Sequence, residues 1–127
     1  MKDNKIIIEI NKPLYEVFLF TITPPNSTKW IPSVIKEETN EWPVKINTIY
    51  KLTDEKNNIS EVIVTDIKEN ICVEWISKDN NYHCRYTFKS LNDNLTKFEY
   101  YEWVDKEDLK DPFTIEILKK LKFVLEK

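Results

Sequence analysis

No position in this chain is a glycine. That absence removes whole classes of function. The phosphate-cradling P-loop, the dinucleotide fingerprint and the G-x-S-x-G nucleophile elbow all need glycine, for close backbone approach or a strained turn. No cofactor is therefore expected. The absence also constrains the turns. Positive-φ positions must fall on Asn and Asp, which tolerate the left-handed region better than other non-glycine residues. The candidates are Asn57-Asn58, Asp79-Asn80-Asn81 and Asn92-Asp93-Asn94.

Hydrophobic periodicity supplies the elements. Residues 6–10 are a β-branched run and read as a strand. Asn11 suits a helix N-cap with Pro13 near the first turn, and Leu14, Val17, Phe18 and Phe20 give that helix an apolar face. Thr23-Pro24-Pro25 breaks it, and residues 27–31 suit a further helical turn stopped by Pro32. Strands are expected over 34–38, 48–53, 60–67, 71–77, 82–89 and 95–104, with an irregular loop through Trp42 and Pro43. The end is different. Asp108 or Asp111 can cap a helix, Pro112 suits its first position and Glu116 its first turn. Phe113, Ile117, Leu118, Leu121, Val124 and Leu125 share one face of about three or four turns. Ile115 and Phe123 lie off that face, either exposed or against a second copy in a homodimer. This order predicts an α+β domain over 1–127, a curved antiparallel sheet of about seven strands wrapped around a C-terminal helix.

Strand parity predicts which side chains meet. A two-residue Asp79-Asn80 loop, suited to a type I′ turn, sets Trp75 against Cys84, Val73 against Tyr86 and Ile71 against Phe88 on one face. Glu74 then faces Arg85 on the other, a favourable cross-strand pair. A loop at Asn92-Asp93-Asn94 sets Phe88 against Phe98, Tyr86 against Tyr100 and Cys84 against Glu102. For the strand over 60–67, parity leaves open whether Val62 and Val64 or Ile63 and Thr65 face inward. Cys72 and Cys84 fall on opposite faces, so they are not expected to form a disulfide.

Charge and hydropathy narrow the partners. The net charge is −3 and Lys alternates with Glu and Asp, so no basic patch marks a nucleic-acid surface. Lys119, Lys120, Lys122 and Lys127 suit the negative end of a helix macrodipole better than a phosphate site. No run of 18 apolar residues marks a membrane span, and the apolar stretch at 6–8 is too short for an export signal. A cytoplasmic location is expected.

The candidate chemistry is sparse. His83 is the only histidine and points to the face opposite Cys84, so no metal site is expected. Cys84 has no nearby histidine and reads as a small buried hydrophobe. Glu102 admits two readings: it faces in beside Tyr86 and Tyr100, or the strand twists and leaves it exposed. With four Trp, six Tyr and six Phe, the interior must be rich in rings. Trp30, Tyr50, Trp75, Tyr86 and Tyr100 either line a pocket or fill a core.

Several stretches together resemble a known family. They are 6–18, Lys29-Trp30-Ile31-Pro32, 61–67, and Tyr86-Thr87-Phe88 with Leu95-Thr96-Lys97-Phe98. Their order resembles the START-like superfamily, also called SRPBCC, helix-grip or birch-pollen-allergen-like, and its polyketide cyclase/dehydrase-like members. Asn47 stands where members often open the third strand with glycine, and the final helix is shorter than theirs. The resemblance implies an apolar pocket between sheet and C-terminal helix. The expected ligand is a hydrophobic or aromatic small molecule, held by Trp30, Tyr50, Trp75, Tyr86, Phe88, Tyr100, Glu102, Ile117 and Leu121. Two other readings compete. One is a cyclase- or dehydratase-like enzyme using Glu102 and tyrosines. The other is a ligand-free interaction module resembling co-chaperone homologues.

Overall fold

The computed structural model describes residues 1–127. The order is β1 (Asp3–Ile10), α1 (Leu14–Ile22), a 3-10 turn (Asn26–Lys29), β2 (Lys36–Thr39), β3 (Ile49–Thr53), β4 (Ile59–Lys68), β5 (Cys72–Ser77), β6 (Tyr82–Asn92), β7 (Leu95–Val104) and α2 (Ile115–Glu126). The strands form one open antiparallel sheet in the order β1-β7-β6-β5-β4-β3-β2. Only β1 leaves its sequence neighbour, pairing with β7, so the two ends of the chain meet at one edge. α2 packs against β1, and α1 against β6 and β7. The architecture is the α+β one expected. No helix is long and apolar enough to cross a membrane.

The predicted register holds across β5, β6 and β7. Trp75 pairs with Cys84, Val73 with Tyr86, Tyr86 with Tyr100, Phe88 with Phe98 and Cys84 with Glu102. On the opposite face the Arg85 guanidinium donates to Glu74 at 2.7 Å. Burial alternates down β7, with Thr96, Phe98, Tyr100, Glu102 and Val104 buried. Ile71 lies just before β5, in the turn closed by its N–H to the Lys68 carbonyl, and is 55% exposed instead of facing inward.

The turns reach the register by other routes than expected. Of the Asp79-Asn80 pair only Asn80 has positive φ, at 65°, so this is no type I′ turn, which needs both. The β6–β7 loop is shorter than three residues: Asn92 pairs with Leu95, and a bulge between Ser90 and Asn92 absorbs the difference. The Asn92 cluster needs no positive φ, since the Asn92 side chain accepts the Asn94 N–H at 2.9 Å. Asn47, in the glycine-like position, has φ 77°.

A bulge between Val64 and Asp66 explains why parity could not resolve β4. Val62 and Val64 pair with Ser77 and Trp75, and past the bulge Ile67 returns to the inner face opposite Val73. Two helix starts also differ from expectation. Pro13 itself occupies the N-cap of α1. The Asn11 backbone N–H and side-chain amide instead bond Glu126, at 2.7 and 2.9 Å, tying the start of α1 to the end of α2. Helix α2 begins only after Thr114, leaving Asp108, Asp111, Pro112 and Phe113 in the preceding segment.

The core runs from Val17 and Phe18 of α1 through Val64, Val73 and Phe98 to Leu118 and Leu121 of α2. Ile115 and Phe123 are exposed, as their off-face positions require. Cys72 and Cys84 are free. Stability therefore comes from this core, and dialysis against chelator plus reductant should leave the melting temperature unchanged. A drop of several degrees would contradict that assignment.

Candidate functional site

A cavity of about 160 Å³ lies over the inner face of β3 to β7, roofed by the end of α1, the 3-10 turn and the loop after it. Thr21, Ser27, Ile31 and Val34 form the roof, and Glu37 enters from β2. Tyr50, Val62, Trp75, Cys84, Tyr86 and Tyr100 form the floor and wall. Exposed Ser33 and half-buried Leu52, Tyr82 and Phe113 mark the mouth. Strand alternation sends the floor residues to one face, while Pro24, Pro25 and Pro32 keep the roof from continuing as helix.

Four of the residues expected to hold a ligand share this wall: Tyr50, Trp75, Tyr86 and Tyr100. The others stand elsewhere. Trp30 is 1% exposed and packs on Tyr86 and Phe113 with ring centroids 6.2 Å away. Phe88 packs edge-on to Phe18 at 5.2 Å. Leu121 is fully buried in the core, and Ile117 is half-buried beside a shallow groove with Trp30. The cavity is thus displaced from α2, which contributes none of its lining. Phe113 reaches it because it precedes the helix, where its ring stacks on Tyr100 at 4.3 Å.

Glu102 faces in and is 2% exposed. One carboxylate oxygen accepts from the Tyr82 hydroxyl at 2.7 Å and the Tyr100 hydroxyl at 3.1 Å. The other accepts from the Asn4 amide at 2.9 Å and the Phe113 N–H at 2.8 Å. A carboxylate offers about four acceptor sites. These four donors occupy them, so Glu102 joins β1, β6, β7 and the segment before α2.

The one carboxylate in the cavity lining is Glu37, which strand patterning does not single out. It is 7% exposed. Its oxygens accept from the Ser27 hydroxyl at 2.6 Å and the Ser27 N–H at 3.2 Å. Burial pushes its carboxyl above the usual range, and the Ser27 bonds only partly oppose this. The consequence for stability has a definite sign. A carboxyl whose folded pKa is raised binds its proton more tightly when folded. Its contribution is greatest below the ordinary carboxylate range and falls as pH rises through the raised value. Glu37→Gln, whose oxygen can accept the Ser27 N–H while its amino group donates to the Ser27 hydroxyl, should remove that fall. In urea titrations at several pH values, the variant should gain stability relative to wild type between pH ~5 and ~8. An unchanged difference would mean that Glu37 ionises as freely folded as unfolded.

Two further groups complete the site. The buried indole N–H groups of Trp30 and Trp75 both find no acceptor in the protein, which is rare for a buried donor, and of the two only Trp75 lines the cavity. Burial pushes the Cys84 thiol well above its ordinary value, which disfavours the thiolate form. His83 lies on the far face, stacked on Trp103 at 4.6 Å with Nε2 2.8 Å from Asp105.

No family model matches the chain, and no curated protein does. Solved structures match it over nearly its whole length. XoxI from Bacillus cereus is 13% identical with a TM-score of 0.77, covering 99% of this chain and 96% of that one. A conserved protein of unknown function from Enterococcus faecalis is 15% identical at TM-score 0.75, covering 97% of this chain and 70% of its own. The Aha1 dimer from Colwellia psychrerythraea is 12% identical at TM-score 0.61, covering 98% and 90%. At these identities the likeness is one of fold. It places the chain among helix-grip-like α+β folds, many of them known from uncharacterised proteins.

Proposed function

We propose that this chain is a START-like (SRPBCC) domain, of the polyketide cyclase-like kind, that binds a small hydrophobic or aromatic molecule in the Glu37 cavity. The carrying observation is an apolar space of about 160 Å³ that contains a buried donor, the Trp75 N–H, with nothing to donate to. A cavity of ~150 Å³ with apolar walls admits benzene. Drug-sized ligands need ~300 Å³ or more. The guest is therefore of single-ring size, smaller than a lipid or a fused polyketide. An oxygen on it would satisfy Trp75. The acid–base reading gains no support from Glu102, whose acceptor sites are filled and which lies outside the lining.

Benzyl alcohol is a suitable probe, having one ring and one oxygen. Wild type should bind it in calorimetric or NMR titration. Leu52→Trp, at the half-buried mouth, should weaken that binding by about tenfold or more while leaving the melting temperature within a few degrees, as changes outside the packed core usually do. Equal binding by both proteins would place the site elsewhere.

One observation favours a second reading, an interaction module. Tyr15, Leu19 and Trp42 are 60%, 49% and 51% exposed and border a cleft between α1 and the loop before β3. Apolar side chains so grouped suit a protein contact. The Aha1 structure is itself a dimer, and a homodimer of this chain would have this cleft available. Under this reading Trp42→Ser would abolish self-association in sedimentation runs and leave benzyl alcohol binding untouched.

A further inference from the structure

The two buried carboxylates of the fold differ in one respect. Glu102 has a donor for each acceptor site. Glu37 has only Ser27, through two bonds, and no Lys, Arg or His against it. The neighbouring cation, Lys36, points to the other face and pairs with Glu38 at 3.4 Å. Part of the acceptor capacity of Glu37 is thus left over, inside a cavity rather than a packed core.

The rest of the wall is aromatic. Tyr50 meets Trp75 at 5.6 Å between ring centroids, and Trp75 meets Tyr86 at 4.8 Å. Tyr86 meets Tyr100 at 5.7 Å, and Tyr100 stacks on Phe113 at 4.3 Å. These rings form a continuous arc around the space that Glu37 enters. Aromatic faces carry negative charge density and attract cations within ~6 Å. No lining residue is basic, so an anionic guest would meet the Glu37 carboxylate and an aromatic wall with only the Trp75 N–H as a donor to set against them.

We propose that the cavity selects an organic cation, an ammonium group on an apolar body of single-ring size, with Glu37 as its counter-charge and the aromatic arc as its cage. This rests on the reading of the cavity as a ligand site and adds the charge of the ligand. A neutral guest leaves Glu37 uncompensated, whereas an ammonium supplies the charge and the donors that Glu37 lacks and leaves the Trp75 N–H to an acceptor elsewhere on the guest.

Three probes of nearly equal size separate the possibilities: benzylammonium, benzyl alcohol and benzoate, each titrated at pH 7.5 into the intact chain. The expected result is benzylammonium binding at least about tenfold more tightly than benzyl alcohol, as a desolvated charge pair and ring faces together allow. Benzoate should not bind. In Glu37→Gln the ratio of ammonium to alcohol affinity should fall to near one. Equal or weaker binding of the ammonium by wild type would overturn the cation inference and leave the cavity reading intact. A ratio unchanged in folded Glu37→Gln would do the same. Failure of all three probes on wild type would overturn the cavity reading and this inference with it. Because the wild-type comparison alone can contradict the proposal, it stays testable even if the variant does not fold.

Discussion

Leu121→Asp unfolds the domain at room temperature. Leu121 has no exposed surface and sits in the middle of α2, on the face that joins the core. The substitution removes a buried leucine, worth roughly 1.5–3 kcal/mol. It also places a carboxylate where no donor or cation waits, at a cost of several kcal/mol more. A domain of this kind is stable by only about 5–15 kcal/mol. Far-ultraviolet circular dichroism and a urea titration report the outcome. Phe123→Asp is the control, since Phe123 lies on the same helix at 62% exposure and should tolerate the same charge with a loss under ~0.5 kcal/mol. A wild-type urea midpoint for Leu121→Asp would mean that α2 does not pack inward, and the description of the core would fail.

Glu102→Ala should lose several kcal/mol, since each buried donor left without an acceptor costs about 1–3 kcal/mol. The loss comes from the stranded donors as much as from the missing side chain. The Phe113 N–H and one Asn4 amide hydrogen lose their acceptor, and of the Tyr82 and Tyr100 hydroxyls, 3.1 Å apart, only one can turn to the other. Glu102→Gln should be much milder, near ~1 kcal/mol. Its oxygen can keep Asn4 and Phe113, while its amino group faces two hydroxyls that can rotate to accept. This ordering of Ala below Gln separates a hydrogen-bonding role from mere packing. Equal losses in the two variants, measured by urea titration, would contradict it.

Sheet geometry was legible where turns and parity agreed. The β5–β6–β7 register followed from two Asn-rich loops and the pairing of Glu74 with Arg85, even though both loops use different turn geometry. Parity counts residues, so it survives a change of turn type. It fails at a bulge, as at Val64 in β4, where one extra residue returns Ile67 to the inner face. The site was harder to read. Tyr50, Trp75, Tyr86 and Tyr100 were legible as inward rings, but Glu37 was not. Beside Lys36 and Glu38 it reads as a solvated strand. Only the 3-10 turn ten residues earlier, with Ser27 bonding it, shows that this carboxylate is covered. Likewise pairing with Cys84 offered an inward Glu102, but an exposed one stayed open until the structure showed it buried. Its donors were not legible, because Asn4, Tyr82 and Phe113 come from three separate segments. Contacts assembled by tertiary folding leave no local periodicity to read.

The cavity is the centre of this account, and the Trp75 indole proton reports on it directly. The chain has four tryptophans, so a nitrogen-edited NMR spectrum holds four side-chain indole signals. Trp75 lines the cavity, Trp42 borders the outer cleft, and Trp103 stacks on His83 on the opposite face of the sheet. Titration with benzyl alcohol should move the Trp75 signal saturably and leave those of Trp42 and Trp103 in place. A Trp75 signal that stays fixed while the probe is raised to its solubility limit, or movement at Trp42 alone, would contradict binding in the cavity.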